Sequence, residues 1–173
     1  MRRRDGEGGV CIYTLDGHNG HVDGFAYSPL GDTFASSDDG SRVRVWDVGS
    51  EECRLILIGH IGIVWNVVYS PKDNQVASSG GRDDATVRIW DIESGLCLHT
   101  LSGYFSSVYS IVYSPREDLL VSGDNHGSLR IWDVLKGTCC RVLMGHKFFV
   151  TSVAYSPQGD LIVSAGNDGT VRV

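Results

Sequence analysis

Short apolar segments alternate with polar turns along the whole chain. In one representative stretch, Val64–Tyr69, Gln75–Ser79 and Thr86–Trp90 are rich in β-branched, aromatic or small residues, and Pro, Gly, Asp and Ser lie between them. Segments of this length and composition predict β-strands, and the residues between them predict tight turns. Such closely spaced strands leave no room for helices, so the pattern predicts an all-β fold.

The strand pattern recurs four times. Tyr-Ser-Pro begins at Tyr27, Tyr69, Tyr113 and Tyr155, at spacings of 42, 44 and 42 residues. Two extra residues in the turn from Gly80 to Ala85 account for the longer spacing. Periods of roughly 40–45 residues are typical of propellers and solenoids, in which neighbouring units cover each other's apolar faces.

Two further motifs mark the repeats. Gly-His begins at Gly17, Gly59 and Gly145, and Trp-Asp begins at Trp46, Trp90 and Trp132. With the Tyr-Ser-Pro register, these motifs resemble those of the WD-repeat β-propeller family over nearly the whole chain, from about Cys11 to Val173. The resemblance implies a β-propeller of four-stranded antiparallel blades, four of which are present.

The repeats define the domain organisation. Residues 1–9 are charged and Gly-rich and are predicted to be disordered. The resemblance implies a WD-repeat region over residues 10–173, with repeats of about 10–52, 53–96, 97–138 and 139–173, the last one truncated. Propellers usually have roughly four to eight blades, and we expect these four to belong to a larger propeller. A closed four-bladed ring and an eight-bladed ring of two chains are the alternatives.

The charge balance limits the classes of partner. The chain has 15 basic and 21 acidic residues and a net charge of −6, which gives no general attraction to nucleic acids or anionic membranes. No apolar stretch approaches the ~20 residues needed to span a bilayer. The basic residues Arg2–Arg4 precede a polar, Gly-rich segment and not the apolar core of a signal peptide. We therefore expect a cytoplasmic protein, with the nucleus as the alternative location.

Four of the five cysteines follow the repeat, at Cys11, Cys53, Cys97 and Cys139. Neighbouring sheets pack about 10 Å apart, whereas a disulfide needs Cα atoms within about 7 Å. We therefore expect free cysteines that act as small buried apolar residues, as is usual in a reducing compartment.

The second copy contains a histidine, a serine and an aspartate that could suggest a hydrolase: His60, Ser78 and Asp84. No Gly-x-Ser-x-Gly elbow accompanies the serine, and the set partly recurs in other copies, although an active site is not needed once per blade. In the WD-repeat family such positions form a hydrogen-bonded chain from Trp to Ser to His to Asp. The resemblance thus implies no catalytic residue and a structural network of His18, Ser36, Trp46, His60, Ser78, Asp84, Trp90, Ser122, Trp132, His146, Ser164 and Asp168.

Two copies depart from this pattern. In the first copy, Gly40 stands at the aspartate position and Asp39 is adjacent. In the third, Tyr104 replaces the histidine and His126 the aspartate. We expect the second and fourth copies to be fastened more firmly.

Positions that differ between copies at equivalent places are candidates for recognition. The resemblance places them on the narrower top face, around the central channel, where partners of this family often dock. These protein-binding candidates are His21, Asp23, Ile63, Trp65, Tyr109, Phe149, Thr151, Asp39, Asp83, Asn125 and Asn167. Aromatic rings among acidic and amide neighbours are typical of protein interfaces, although rings tucked between blades are the alternative. His21 and Asp23 are too few ligands for a metal site.

These features predict a non-enzymatic protein–protein interaction scaffold of WD-repeat type that binds proteins or peptides on its top face. No cofactor, metal, small-molecule substrate, nucleic acid or membrane is expected, and self-association would complete the ring. The alternative is a regulatory or substrate-recruiting segment of a larger signalling enzyme whose catalytic domain lies outside this chain.

Overall fold

All regular structure in the described part of the chain is β-strand. A computed structural model describes residues 11, 14–72 and 74–173, and its strands form four antiparallel sheets. The segment predicted to be disordered, residues 1–9, lies outside the described residues, as do residues 10, 12 and 13. Within those ranges, no helix has the length and apolar character needed to cross a bilayer. The predicted all-β fold is confirmed.

The sheets, which we call blades, follow one another along the chain. Blade 1 contains β1 (Val22–Tyr27), β2 (Thr33–Asp38), β3 (Arg42–Asp47) and β4 (Cys53–Ile58). Blade 2 contains β5 (Val64–Tyr69), β6 (Gln75–Gly80), β7 (Val87–Asp91) and β8 (Cys97–Leu101). Blade 3 contains β9 (Val108–Tyr113), β10 (Leu119–Asp124), β11 (Ser128–Asp133) and β12 (Thr138–Met144). Blade 4 has three described strands, β13 (Val150–Tyr155), β14 (Ile162–Gly166) and β15 (Val171–Arg172).

Each blade is offset by one strand from the repeat seen in the sequence. The first strands of the blades, β1, β5, β9 and β13, contact one another and are therefore innermost. The outer strand β4 pairs with β3, although it opens the second sequence repeat. Since β4 leads directly into β5, every outer strand connects its own blade to the next one along the chain.

The turn after each inner strand is built from local hydrogen bonds. In blade 1 the Ser28 hydroxyl donates to Asp32 Oδ1 at 2.7 Å and accepts from the Thr33 amide at 3.2 Å. Gly31 has a φ of 72°, a conformation that glycine adopts without strain. Blade 4 repeats the arrangement with Ser156 and Asp160 at 2.6 Å, so the Ser-Pro motif fixes the turn that returns the chain into the sheet.

The apolar core lies between blades and not within one. The face that each blade turns toward the preceding blade, here the front face, carries the residues equivalent to Val64, Val67 and Tyr69 of blade 2. The face turned toward the following blade, the back face, carries the residues equivalent to Val43 and Val45 of blade 1. These five residues are buried in one cluster between blades 1 and 2, and similar clusters join blades 2 and 3 and blades 3 and 4. Each blade is therefore held by burial against its neighbours.

Hydrogen bonds between neighbouring blades also hold each blade at one position relative to the next. The Tyr69 and Thr33 hydroxyls lie 3.1 Å apart between blades 2 and 1. The Val153 amide of blade 4 donates to Ser110 Oγ of blade 3 at 3.1 Å. Buried polar groups need such partners. Because each bond forms at only one relative placement of the two blades, it favours that placement over others.

The expectation for the cysteines is half correct. No disulfide joins the five cysteines, all of which are among the described residues, but Cys11, Cys97, Cys139 and Cys140 are exposed and Cys53 is only half-buried. The prediction of buried thiols was wrong because Cys53, Cys97 and Cys139 lie at or next to the starts of the outer strands, which have a sheet neighbour on one side only.

The inter-blade core gives a testable prediction. Ile111 lies between blades 2 and 3 and is 3% exposed, whereas Leu98 on an outer strand is 43% exposed. Truncating a buried isoleucine to alanine costs about 2–5 kcal/mol, so we expect I111A to lower the free energy of unfolding by that amount. L98A is the matched control and should cost less than about 1 kcal/mol, as judged by urea unfolding followed by tryptophan fluorescence. Similar losses in both variants would contradict a core placed between the blades.

Candidate functional site

A chain of hydrogen bonds crosses blade 2 at the positions that could suggest a hydrolase. The Trp90 indole donates to Ser78 Oγ at 2.8 Å, and that hydroxyl lies 2.7 Å from His60 Nε2. On its other side, His60 Nδ1 bonds to the carboxylate of Asp84. Thr86 also donates to Asp84, at 3.0 Å. The side chains thus join the third strand, the second strand and the link before β5.

The protonation states fit this chain of bonds. Burial lowers the pKa of His60, although the bond to Asp84 acts in the opposite direction. Burial would raise the pKa of Asp84, but hydrogen bonds from His60 and Thr86 and the charges of His60 and Arg88 bring it below its ordinary value. A neutral histidine then donates from Nδ1 to an ionised carboxylate and accepts the serine proton at Nε2. Every donor in the network has an acceptor.

Blade 1 contains the same network but takes its carboxylate from a residue that the sequence reasoning missed. His18 lies 2.6 Å from Ser36 Oγ, which accepts from the Trp46 indole at 2.7 Å. Its Nδ1 lies 2.6 Å from Asp38 Oδ2. Asp38 is buried and also accepts from the Arg42 amide at 3.0 Å. Gly40 had suggested that blade 1 lacks the network aspartate, but Asp38 supplies it.

The carboxylate can come from either of two backbone positions. In blades 1 and 3 the second strand ends in an aspartate, Asp38 or Asp124, whereas in blades 2 and 4 it ends in Gly80 or Gly166. The glycines leave room, because a Cβ on Gly80 would lie 2.5 Å from Asp84 Oδ2. The signal in the sequence is that each copy has one aspartate at one of the two positions and never at both.

Blade 3 uses a tyrosine in place of the histidine. The Tyr104 hydroxyl lies 2.7 Å from Ser122 Oγ, which also accepts from the Trp132 indole at 3.0 Å. Burial raises the pKa of Tyr104, so its ring stays neutral. His126 has no part in this network; it is exposed and packs its ring edge-on against Phe105.

Blade 4 follows the pattern of blade 2. His146 lies 3.0 Å from Ser164 Oγ and 3.0 Å from Asp168 Oδ1. Hydrogen bonds from the Thr170 hydroxyl and the Lys147 amide, followed by one from His146, hold the pKa of Asp168 well below its ordinary value.

An arginine two residues before the tryptophan covers the network. The guanidinium carbon lies 5.9 Å from the Trp46 ring centre for Arg44 and 6.0 Å from the Trp90 ring centre for Arg88. In blade 3, Arg130 stacks on Tyr104 at 5.2 Å and donates to the Gly103 carbonyl at 2.7 Å. In blade 3 these contacts tie the link before the inner strand to the third strand, as cation–π and hydrogen-bonding groups do, and in blade 1 Arg44 does the same by donating to the Gly17 carbonyl.

The buried serine is placed for structure and not for attack on a substrate. Ser78 is fully buried, and its oxygen is already occupied by the indole of Trp90 and by His60. A nucleophile needs a substrate within reach and an oxyanion site beside it. The arrangement is suited to satisfying buried polar groups.

Four of the recognition candidates lie where the pairing of an inner strand is interrupted. Sheet register shifts between Val22 and Gly24, between Val64 and Asn66, and between Val150 and Ser152, and a matching shift occurs opposite β9. The extra residues at these bulges are Asp23, Trp65, Tyr109 and Thr151. A β-bulge leaves one residue unpaired and redirects its side chain, so the bulges turn these four side chains away from the regular alternation.

Three aromatic residues form a continuous contact across blades 2 to 4, which we call the aromatic row. Trp65 and Tyr109 have ring centres 5.4 Å apart, and Tyr109 and Phe149 have ring centres 5.3 Å apart. All three side chains are half-buried. The structure thus brings together rings that are 44 and 40 residues apart in sequence, and each ring keeps an exposed part.

The turn residues beside the row are tied to the inner strands by backbone bonds. The amides of Asp39, Asn125 and Asn167 donate to the carbonyls of His21, Ser107 and Phe149, respectively. In blade 2 the equivalent amide belongs to Gly81, which donates to Ile63. Asp83 is therefore not equivalent to the other three residues, because it lies in the two-residue insertion, where it is exposed beside Gly62.

The blade 1 end of this surface is acidic. Partial burial raises the pKa of Asp23, the nearby carboxylates of Asp39 and Asp38 raise it further, and His21 opposes them. Asp23 and His21 are exposed. No group of three potential metal ligands occurs within the described residues. The local excess of negative charge favours a cationic group nearby.

Comparison with known proteins identifies the repeats. The family described as "WD domain, G-beta repeat" matches residues 9–47, 51–91, 95–133 and 137–173. A WD repeat-containing protein of Synechocystis is 35% identical over 68 residues, covering 39% of this chain and 20% of the relative. The small ribosomal subunit protein RACK1y of rice is 33% identical over 87 residues, covering 45% of this chain and 26% of the relative.

A solved structure matches over almost the whole fold. The crystal structure of the computationally designed Ika4 protein superposes with a TM-score of 0.83 at 29% identity, covering 95% of this chain and 96% of that one. The matches to the curated relatives are local, since they span only 8–26% of the length of those proteins.

The carboxylate of blade 1 can be tested with two adjacent residues. Asp38 is buried and bonded to His18, whereas Asp39 is only half-buried. Hydrogen bonds to charged groups contribute about 1.5–3 kcal/mol, so D38N should lower the free energy of unfolding by that amount. D39N should change it by less than about 0.5 kcal/mol. Equal effects in urea unfolding would show that Asp38 is not the network carboxylate.

The lowered pKa of His60 predicts a loss of stability in mild acid. As the pH falls below the ordinary histidine value of 6.5, the unfolded chain binds a proton at His60 and the folded chain does not. Unfolding is therefore favoured as the pH falls from 6.5 to the lowered value. H60Q should show a smaller loss of stability between pH 7.5 and 5.5 than the unsubstituted chain, measured by urea unfolding at each pH. The exposed-site control H126Q should keep the full loss, and an unchanged loss in H60Q would refute this origin.

Proposed function

Because the chain belongs to the WD-repeat family, we propose that it is a non-enzymatic protein-interaction module that binds a protein segment along the aromatic row. The observation that carries this proposal is the continuous contact of three half-buried rings across three blades. Rings held in this way lose little conformational freedom on binding, and aromatic residues dominate the energetics of protein interfaces.

The bulges support a role in recognition. Trp65 and Tyr109 occupy bulge positions whose backbone is not committed to the sheet ladder. The residue type at this position changes from Asp to Trp, Tyr and Thr along the four blades, whereas the neighbouring valine is the same in all four. A position that packing does not determine is available for contacts with a partner.

Charge indicates the chemistry of the partner. Asp23 and Asp39 lie at the blade 1 end of the row, and the charge of Asp39 raises the pKa of Asp23. The amides of Asn125 and Asn167 donate to the residues just before β9 and β13, the strands that follow in blades 3 and 4. A segment with a basic side chain beside one or two apolar side chains would satisfy both the acidic end and the rings. The chain as a whole carries a net charge of −6, which adds to the attraction of a basic partner.

Burial of the serines argues against a hydrolase. Ser78 and Ser122 are fully buried, each accepts a bond from a tryptophan, and the same arrangement recurs from blade to blade. A substrate-recruiting segment of a larger enzyme would use the same aromatic row, so both functions that the sequence suggested require binding at this surface.

The proposal predicts that peptide binding depends on two of the rings. Peptides selected from a displayed random library on the purified chain should be enriched in basic residues beside aromatic or aliphatic ones. A W65A/Y109A double variant should weaken binding of such a peptide at least ~30-fold, equivalent to about 2 kcal/mol, as measured by fluorescence anisotropy.

The control is F105A, which removes a highly exposed ring that contacts His126 and not the aromatic row. Its affinity for the same peptide should be unchanged. Full affinity in the double variant, with circular dichroism showing an intact fold, would refute the proposed surface.

A further inference from the structure

A cavity of about 420 Å³ lies between the turns of blades 1 and 2. Tyr69, the last residue of β5, lines it, whereas Trp65 of the aromatic row is the second residue of the same strand. The cavity and the aromatic row are therefore at opposite ends of the inner strands. Ligand sites in proteins commonly have volumes of about 300–1,000 Å³, so this cavity has the size of a binding site.

Opposite charges bridge the equivalent turns between blades 2 and 3 and between blades 3 and 4. Lys72 Nζ of blade 2 lies 3.3 Å from Asp118 Oδ1 of blade 3. In the next pair of turns, the hydrogen bond from Ser156 lowers the pKa of Asp160, and the nearby charge of Arg116 lowers it further. Each of these two junctions thus has a cation on one turn and a carboxylate on the next.

The junction of blades 1 and 2 has an uncharged residue at both of these positions. Leu30 stands 42 positions before Lys72, and Asn74 stands 44 positions before Asp118. Both residues line the cavity, and Leu30 is 88% exposed. A leucine in the place of a bridging cation leaves an apolar wall that is open to a partner.

The interior of the cavity is suited to an apolar side chain. Pro71 and Ile92 line it together with Leu30, and Ile92 is buried. The hydroxyls of Tyr69 and Thr33, which also line it, lie 3.1 Å apart and form a hydrogen bond with each other. Apolar walls with a few fixed polar groups are typical of ligand sites.

An arginine adds a positive charge to the cavity. Arg54 on β4 lines the cavity and is exposed. It forms no ion pair with any of the residues that the structure describes. Its equivalents on β8 and β12 are Leu98 and Cys140, which are not cations. An arginine can bind a carboxylate through two parallel hydrogen bonds, so Arg54 gives this junction an anion-binding group.

Two other charged residues line the cavity. Lys72 uses one of the three donors of its ammonium group for Asp118, and the others are available to a ligand. Asp32 accepts from the hydroxyls of Ser28 at 2.7 Å and Thr33 at 3.5 Å, and the bond from Ser28 is the main cause of its lowered pKa. Among the described lining residues there are thus two positive charges and one negative charge, and the negative one already has hydrogen-bond donors.

We propose that this cavity is a docking site for a protein segment in which an apolar side chain stands beside a carboxylate. The apolar side chain lies between Leu30 and Ile92, and the carboxylate pairs with Arg54. The net charge of −6 does not prevent this contact, because exposed charges farther apart than about 8 Å are largely screened at physiological ionic strength. Since the aromatic row is proposed to bind a basic segment, the two sites select different partners.

The first test measures binding of labelled peptides to the full chain. Fluorescein-labelled decapeptides carry one leucine or phenylalanine and one glutamate, one to three residues apart, in a background of glycine and serine. At least one should bind with a Kd below ~100 µM in fluorescence anisotropy, and replacing its glutamate by glutamine should weaken binding at least ~10-fold. R54E should weaken binding by at least as much. R141E makes the same change of charge at an exposed position of the outer strand β12, and its affinity should equal that of the unsubstituted chain.

A second variant tests the role of the open junction. L30K/N74D leaves the net charge unchanged and installs the cation and the carboxylate of the other two junctions. Circular dichroism should show it folded, and it should bind the peptide at least ~10-fold more weakly. W65A/Y109A should keep full affinity for this peptide, which separates failure of this site from failure of the aromatic row. Binding by none of the peptides, equal effects of R54E and R141E, full affinity in L30K/N74D or lost affinity in W65A/Y109A would each overturn the proposal.

Discussion

The structure depends on the burial of one sheet face against the next. A single four-stranded sheet of this composition would expose valines and isoleucines on both faces, and nothing within the sheet could cover them. Val64, Val108 and Val150 are fully buried only because a preceding blade lies against them. Stability is therefore a property of the junctions, and the residues that repeat at these positions are the ones the junctions require.

The hydrogen-bonded networks solve a second problem, which is the cost of polar groups inside this packing. A serine and a tryptophan recur in the middle of blades 1 to 3, and each pair needs further partners to remain satisfied away from water. His18 and His60 supply them in two blades, and Tyr104 does so in the third. Since the tyrosine hydroxyl reaches the serine at the same distance as a histidine nitrogen, the network tolerates an exchange of residue type without a change of backbone.

Sequence reasoning could predict the fold because the spacing of Trp-Asp and Tyr-Ser-Pro reports strand and turn lengths directly. It also placed Trp65, Tyr109 and Phe149 at neighbouring positions, which the ring contacts agree with. It missed Asp38 because a carboxylate can reach the histidine nitrogen from the end of the second strand or from the turn that follows. Aligning the copies on Asp84 considers only the position in the turn. It wrongly predicted that the cysteines are buried. Their repeat spacing indicates that they share an equivalent environment, but it does not indicate whether that environment faces solvent.

The alternation between Asp38 with Gly40 and Gly80 with Asp84 constrains how these blades can change over evolutionary time. Converting one arrangement into the other takes two substitutions, and either order passes through an unfavourable intermediate. Removing the first carboxylate leaves the histidine without an acceptor, whereas adding the second one first forces two charged groups into a space that holds one. The two solutions are therefore separated by a fitness valley, and each blade is expected to keep whichever one its ancestor had.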